Sequence, residues 1–369
     1  MKGRSVADAV HVAVIATVWN EAATIDDLLH SLLTGSVLPD EIVIVDAGST
    51  DGTDAALQRW AAREPRLQVL SQPGCGRSEG RNRAIAASSA PWLAVTDGGV
   101  RLGPGWLAAL LAPVTSAGAA APDVVAGFFR MAPQTCFELA LGATTLPAAR
   151  EVQPDHFLPS SRSVLFSRQA WVGAGGYPGW LDFGEDLIFD LALRRAGARF
   201  TWAPEAIAYF RPRRNLAEFF RQYYRYARGD GKALLWPRRH AIRYASYLTL
   251  LLLFVTSAIS RRRLVRFAAV ATIGLGATAY LYRPYQRLAR PEDSSLRPSA
   301  GLDGLQVLAW LPVLRVTGDL AKMLGYPAGR LWRLRQGGAI PADPTAPRHH
   351  LYTGSPARGT AVAVESNRA

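Results

Sequence analysis

The sequence has few of the residues that build disulfide scaffolds and metal clusters. Its 369 residues include two cysteines, Cys75 and Cys136, far apart in the chain. That is too few for the disulfide framework of a secreted domain, and a reducing compartment is the simpler reading. The six histidines are scattered, with His349 and His350 in the tail. No pairing has the spacing of zinc ligands. No zinc-finger or RNP-type segment is present, so no nucleic-acid partner is expected. Internal repeats are also lacking. The N-terminus carries Lys2 and Arg4, then the short apolar stretch Val10–Val18, which contains His11 and runs into Asn20-Glu21 without a small-residue cleavage site. It reads as a first strand and not as a signal peptide.

What is present is globular: 49% of residues are hydrophobic and 19% charged, more apolar than a disordered chain. The net charge of +13 is unevenly placed. Residues 1–200 hold 16 Lys+Arg against 20 Asp+Glu, and residues 201–369 hold 26 against 9. A neutral-to-acidic half followed by a basic one points to an enzyme joined to something that meets an anionic surface. Two apolar runs and many aromatics in the basic half favour lipid.

The continuous apolar run His11–Thr17 predicts a strand buried on both faces, Glu41–Val45 a second buried strand, and Leu67–Leu70 and Trp92–Thr96 a third and a fourth strand. Helical spacing covers Ala23–Leu33, with Thr24-x-x-Asp27 as an N-cap box, then Asp54–Arg63 and Glu79–Ser88. The alternation predicts an α/β fold with a mostly parallel sheet flanked by helices. Its ligand is expected at the carboxyl ends of the strands, where Thr17–Glu21, Asp46–Asp51, Gln72–Gly76 and Asp97–Gly99 fall. Further on, Val124–Phe129, Ser163–Phe166 and Phe200–Ala203 read as strands, and Thr135–Leu146, Asp186–Ala196 and Leu216–Leu235 as helices.

Asp46-Ala-Gly48-Ser49-Thr-Asp51-Gly-Thr is the densest polar constellation. Its glycines permit a tight turn, and its hydroxyls and carboxylates can bond a ribose and base. The same residues also read as an ordinary loop whose Asp and Ser cap the next helix. The context adds Thr17-Val-Trp-Asn20-Glu21, Gly80-Arg81-Asn82, Asp97, and Gly175-Gly176 followed by Glu185-Asp186. In this order, over roughly residues 10–235, they resemble the family 2 glycosyltransferases of the GT-A fold. The resemblance implies a transferase whose Glu21 and Asp46 contact the nucleoside. The donor set would also take in Thr17, Asn20, Gly48, Ser49, Asp51, Arg77 and Arg81. Asp97 would lie at the diphosphate and its metal. Asp186, with Glu185 beside it, would be the general base that deprotonates the acceptor hydroxyl, and direct attack would invert the anomeric centre.

The second acid of the family's Asp-x-Asp is missing: Asp97-Gly98-Gly99 offers one carboxylate. Mg²⁺ or Mn²⁺ could be held by Asp97 with phosphate oxygens and water, or a basic residue could replace it. Arg77, Arg81 and Arg101 are near in sequence, with Arg101 read as simply solvated. Gln222-Tyr-Tyr-Arg225-Tyr226 resembles the Gln-x-x-Arg-Trp motif of membrane-embedded relatives, with Tyr in place of Trp. Gln222 and Arg225 would then approach the diphosphate. The alternative is an amphipathic interfacial helix.

Tyr244–Ser260 and Phe267–Tyr282 are 17 and 16 residues long, or roughly 25 Å each as helices, short of the ~30 Å hydrocarbon core. The Arg261-Arg-Arg263 turn between them opposes the positive-inside rule for an external loop. Two arrangements are therefore consistent, a thin transmembrane hairpin or a re-entrant or interfacial pair. The expected division is an extension (1–9), a GT-A catalytic domain (10–235, with a nucleotide half 10–112 and an acceptor half 113–235), two membrane helices (240–284), a basic interfacial segment (285–336) and a disordered tail (337–369). The expected function is an inverting glycosyltransferase at the cell membrane, its catalytic domain cytoplasmic. Its partners would be a nucleotide-sugar donor, a lipid-linked or polysaccharide acceptor and membrane lipids. A non-catalytic nucleotide-sugar-binding membrane protein is one competing reading. A dinucleotide-binding oxidoreductase, suggested by Gly74-x-Gly76-x-x-x-Gly80, is the other.

Overall fold

The computed structural model describes residues 10–290 and 303–337, together with 343 and 345. The extension 1–9 and the rest of the tail, including His349 and His350, lie outside the described residues. Four apolar segments become strands β1 (Val12–Val18), β2 (Glu41–Asp46), β3 (Leu67–Ser71) and β4 (Trp92–Val95). They pair in parallel in the order β3-β2-β1-β4. Their crossovers are helices α1 (Ile25–Leu33), α2 (Thr53–Ala61) and α3 (Arg77–Ala87). Every residue of β1 except Thr17 is buried, and β2 is buried from Ile42 to Asp46, as helices covering both faces require.

The sheet continues beyond β4 with β5 (Val100–Leu102), a short strand at its far edge, and with strands β6 (Val124–Met131), β7 (Val164–Ser167) and β8 (Phe200–Phe210) of the acceptor half. The full order is β3-β2-β1-β4-β7-β6-β8-β5. β7 lies antiparallel beside β4, with Val95 opposite Val164. This pairing carries the residues just before β7 to the carboxyl end of β4. Helices α4 (Trp106–Ser116), α5 (Cys136–Thr145), α6 (Arg168–Ala174), α7 (Glu185–Arg195) and α8 (Leu216–Lys232) cover this half.

Several local expectations are corrected. Thr24 stands at the N-cap of α1 without a side-chain cap. Its hydroxyl donates to Glu21 Oε2 at 2.6 Å instead. β8 runs to Phe210, past the expected end at Ala203, because the pairing with β6 shifts register between Ala126 and Phe128. Pro204 falls in that irregularity, the place in a sheet that tolerates a missing N–H.

The C-terminal helices are α9 (Pro237–Ile259), α10 (Arg263–Ala289) and α11 (Gly304–Gln336). α9 and α10 have 23 and 27 residues, about 35 and 40 Å at 1.5 Å per residue. The apolar runs are short, but the helices extend beyond them through flanking arginines and tyrosines. Both are long and apolar enough to cross a membrane, each holding an 18-residue stretch with a mean hydropathy of 1.6. Their outer residues are open, with Phe254 65%, Leu264 79% and Leu275 73% exposed. The base of the pair is tied down by Arg243–Asp319 at 2.8 Å and Arg287–Glu151 at 2.7 Å.

α11 has two apolar sides. One is covered by protein: Val307, Leu311 and Leu314 are buried in one cluster with Phe137, Leu141 and Phe219, while Leu320, Leu324 and Leu331 stay 45%, 59% and 49% exposed. Its glycines lie in backbone contact with α8, where a Cβ at Gly325 would overlap the Tyr224 carbonyl and one at Gly329 the Arg228 carbonyl.

A second close approach places the site. A Cβ at Gly80 would overlap the Thr17 side chain, so α3 presses directly on the end of β1. Gly to Ala inside a helix ordinarily gains about 1 kcal/mol. Here the overlap reverses the sign, and Gly80→Ala should lose about 1–3 kcal/mol, read as a lowered thermal midpoint. An unchanged or raised midpoint would show that α3 can back away from β1.

Candidate active site

The loops after β1 and β2 are stitched together by backbone N–H groups. Asn20 N donates to Ser49 Oγ at 2.9 Å, Glu21 N to Thr53 Oγ1 at 2.8 Å and Ala22 N to Asp51 Oδ2 at 3.0 Å. Thr50 N donates back to Asn20 Oδ1 at 2.8 Å. Asn20 takes a left-handed φ of 55° to allow this, a conformation Asn tolerates better than most residues. Asp46 ends β2 almost fully buried and accepts from Ser49 N and, at 2.5 Å, from Ser49 Oγ. Much of the Asp46–Thr53 constellation therefore builds the paired loops, Asp51 also accepting from Thr53 N at the start of α2.

Glu21 reaches under the β4 loop. The Cβ that Gly99 lacks would stand 3.2 Å from Glu21 Oε2, so this carboxylate fills the space beside the missing second acid. Its pKa is raised by burial, and the Asp97 charge adds to the rise.

Arg81 is the centre of the site. Only 3% of its side chain is exposed, and it donates from Nη2 to Asp97 Oδ1 and from Nη1 to Glu185 Oε1, each at 2.8 Å. One guanidinium thus joins the end of β4 to the start of α7 through one charge-assisted hydrogen bond to each carboxylate. Asn82 fixes the neighbouring turn: its Nδ2 donates to the Tyr177 carbonyl at 2.8 Å, and its Oδ1 accepts from Tyr177 N at 2.9 Å. Burial tends to raise the Asp97 pKa, but the charges of Arg81, Arg162 and Arg77 outweigh it and hold the pKa low. Glu185 moves up, through burial and the adjacent Asp186.

The two expected catalytic acids therefore separate. Glu185 is 4% exposed and spent on Arg81, which leaves it no route to an acceptor. Asp186 is only partly buried, and its Oδ1 accepts from Leu187 N at 2.9 Å.

The α8 motif meets this centre from the other side. Gln222 Nε2 donates to the Tyr226 hydroxyl at 2.9 Å. Arg225 and Arg77 both lie on the Phe183 ring, 5.5 and 4.8 Å from its centroid, within cation–π range. Arg101 lies over Tyr209 at 4.7 Å, away from this group. Thr17 Oγ1 is buried without a hydrogen-bond partner. Of the glycines that suggested a dinucleotide fingerprint, Gly80 is consumed by packing on Thr17, and the segment follows β3 at the sheet edge.

Sequence reasoning missed Arg162 and Phe183. Arg162 precedes β7 and comes to the end of β4 through the antiparallel register, where its carbonyl accepts from Thr96 Oγ1 at 3.0 Å. Its Nε is 3.6 Å from Asp97 Oδ2. The available signal was a lone arginine before an apolar strand.

Among the described residues, no group of three or more His, Cys, Asp or Glu is placed to hold a metal. Asp97 is one-third exposed and ionised, and its oxygens have acceptor capacity beyond the two guanidiniums. This suits a hard cation that takes most of its ligands from phosphate and water.

Residues 13–142 match the family model described as Glycosyl transferase family 2. They form a family 2 glycosyltransferase domain. The succinoglycan biosynthesis protein ExoA of Rhizobium meliloti (strain 1021) is 28% identical over 229 residues, covering 59% of this chain and 68% of that protein. The glycosyltransferase AglE of Haloferax volcanii is 27% identical over 233 residues, covering 61% and 74%. The fold is that of GT-A enzymes. A mannosyltransferase from Pyrobaculum calidifontis, solved with GDP-Man and Mn²⁺, superposes with a TM-score of 0.54 at 21% identity, covering 85% of this chain and 87% of that one. The glycosyltransferase is thus related to polysaccharide biosynthesis enzymes.

One acid of the transferase has an electrostatic cost. Asp190, one turn after Asp186, is 3% exposed, and its Oδ2 has no partner. Its pKa stands well above the usual value, through burial and the Asp186 charge. The folded state therefore keeps its proton where the unfolded state has lost it. By linkage this lowers stability as pH rises from about 4 toward the folded pKa. Asp190→Asn should remove that fall and gain stability at neutral pH, measured by urea unfolding between pH 4 and 8. Identical pH profiles for the two proteins would refute the assignment.

Proposed function

We propose that this glycosyltransferase moves a sugar from a nucleoside-diphosphate donor to a hydroxyl of a lipid-linked or polysaccharide acceptor, with inversion. The observation that carries the reading is the Arg81 bridge. By bonding both Asp97 and Glu185, it ties the start of α7, where Asp186 is the next residue, to the donor end of β4.

Glu21 and Asp46 line the nucleoside side, in the paired loops built by Asn20, Gly48, Ser49 and Asp51. The diphosphate lies toward Asp97, between Arg77 and Arg225, whose positive charge stabilises it as it departs. The acceptor oxygen attacks the anomeric carbon as the bond to the diphosphate breaks, and Asp186 takes the hydroxyl proton. When Mg²⁺ or Mn²⁺ is present, Asp97 and donor phosphate oxygens would hold it, and it would add Lewis-acid charge to that of the arginines. The burial of Glu185 leaves Asp186 as the base.

The expected result for Asp186→Asn is a fall in turnover of about 10²–10⁴-fold, with nucleoside-diphosphate affinity within about threefold of the parent by calorimetry. Full turnover in that variant removes Asp186 from the mechanism.

The same proposal places α9 and α10 across the membrane, with the catalytic domain in the cytoplasm where nucleotide sugars are made. The exposed apolar faces and adequate helix lengths support it. Single cysteines at 260–262 in a cysteine-free background should react with a membrane-impermeant maleimide in intact cells. Labelling only after lysis would return the pair to the re-entrant or interfacial arrangement.

A further inference from the structure

Two departures from the family pattern meet at one side chain. Gly99 leaves Asp97 without a second carboxylate, and Tyr226 replaces the motif's Trp. Arg162 lies between the two sites. Its Nε lies 3.6 Å from Asp97 Oδ2, and the Tyr226 phenol is near enough to act on its charge. An indole has no acceptor oxygen to offer such a partner. We propose that Arg162 is a diphosphate-binding residue of this transferase, and that it supplies at Asp97 the positive charge that a metal held by two carboxylates would otherwise bring. This rests on the donor reading above.

The geometry suits the role. Arg162 is held by aromatic walls, its guanidinium 4.5 Å from the Phe210 centroid and 5.6 Å from that of Phe129. Such stacking fixes the planar fork and removes much of its rotamer freedom. About a fifth of the side chain is exposed, so it is neither solvated like a surface arginine nor sealed like Arg81. The Asp97 contact is longer than a hydrogen bond, and the Ser160 Oγ contact is 3.3 Å from Nη1. These loose partners leave N–H groups to turn toward an incoming phosphate. Arg81 has no such freedom, because its two carboxylates take both ends of its fork. Arg162 also faces α8: Gln222 holds the Tyr226 hydroxyl, whose phenol lies near the Arg162 charge, and Arg162 in turn faces Asp97.

The test is calorimetric binding of UDP and of GDP to the full chain in detergent, with EDTA or with Mn²⁺. For the parent, the Kd of the nucleotide that binds should change less than about threefold on chelation. Arg162→Ala should bind about tenfold or more weakly in EDTA, as loss of a charge-assisted contact implies, and should recover affinity when Mn²⁺ is added. Arg162→Lys keeps the charge without the fork and should fall between, which carries the test if the alanine variant does not fold. Arg101→Ala, stacked on Tyr209 away from Asp97, should bind as the parent does. Arg162→Ala binding within threefold of the parent would overturn the proposal, and so would loss of parent binding in EDTA alone. If the parent binds neither nucleotide under any condition, the donor reading itself fails.

Discussion

The site depends on one buried guanidinium that cannot be left unpaired. Arg81 is sealed from solvent, and a buried cation without partners costs several kcal/mol. Asp97 and Glu185 meet that demand from opposite halves of the domain. Gly80 lets α3 press against β1, and so aims Arg81 at the carboxyl ends of the strands. Asn82, its other neighbour, bonds the Tyr177 backbone and locks the turn leading toward α7. Three consecutive residues thus do three jobs: close approach, charge bridge and loop anchor. The proposed base is positioned by its neighbour and needs no rigid bonds to its own side chain.

The arginines of the site fall into two kinds. Arg81 is structural electrostatics, fully committed to its carboxylates. Arg77, Arg225 and Arg162 rest on aromatic rings, which orient a cation without neutralising it. The proposed diphosphate pocket needs the second kind, and the first kind would keep it in shape.

The nucleotide half was legible in the sequence because its strands carry continuous apolar runs at their centres and its crossovers repeat. The acid-bearing loops could be placed because a parallel sheet gathers its strand ends on one side. The acceptor half was less legible, since antiparallel pairing puts strand beginnings at that same side. Arg162 was therefore invisible until the register of β7 against β4 was known. Glu185 and Asp186 were assigned together, but sequence could not show that burial and an ion pair would divide them. Asn20, Ser49 and Asp51 were read as ligand-facing, and much of their hydrogen bonding goes to one another's loops. The segment expected at an interface became α11. Periodicity reveals an apolar face but not what covers it, and here α8 and α5 cover one side and leave Leu320, Leu324 and Leu331 open on the other.

The glycine contacts between α8 and α11 have a consequence for biosynthesis. α8 carries Gln222, Arg225 and Tyr226, and its partner arrives more than seventy residues later, after α9 and α10. On a ribosome, the strands and their crossovers are complete while the helix that backs α8 is still unmade. The two apolar helices therefore emerge, and must find their surroundings, before the catalytic domain can close its last interface. Assembly of the active site thus waits on the far end of the chain, and the enzyme reaches its finished form only with its apolar pair already placed.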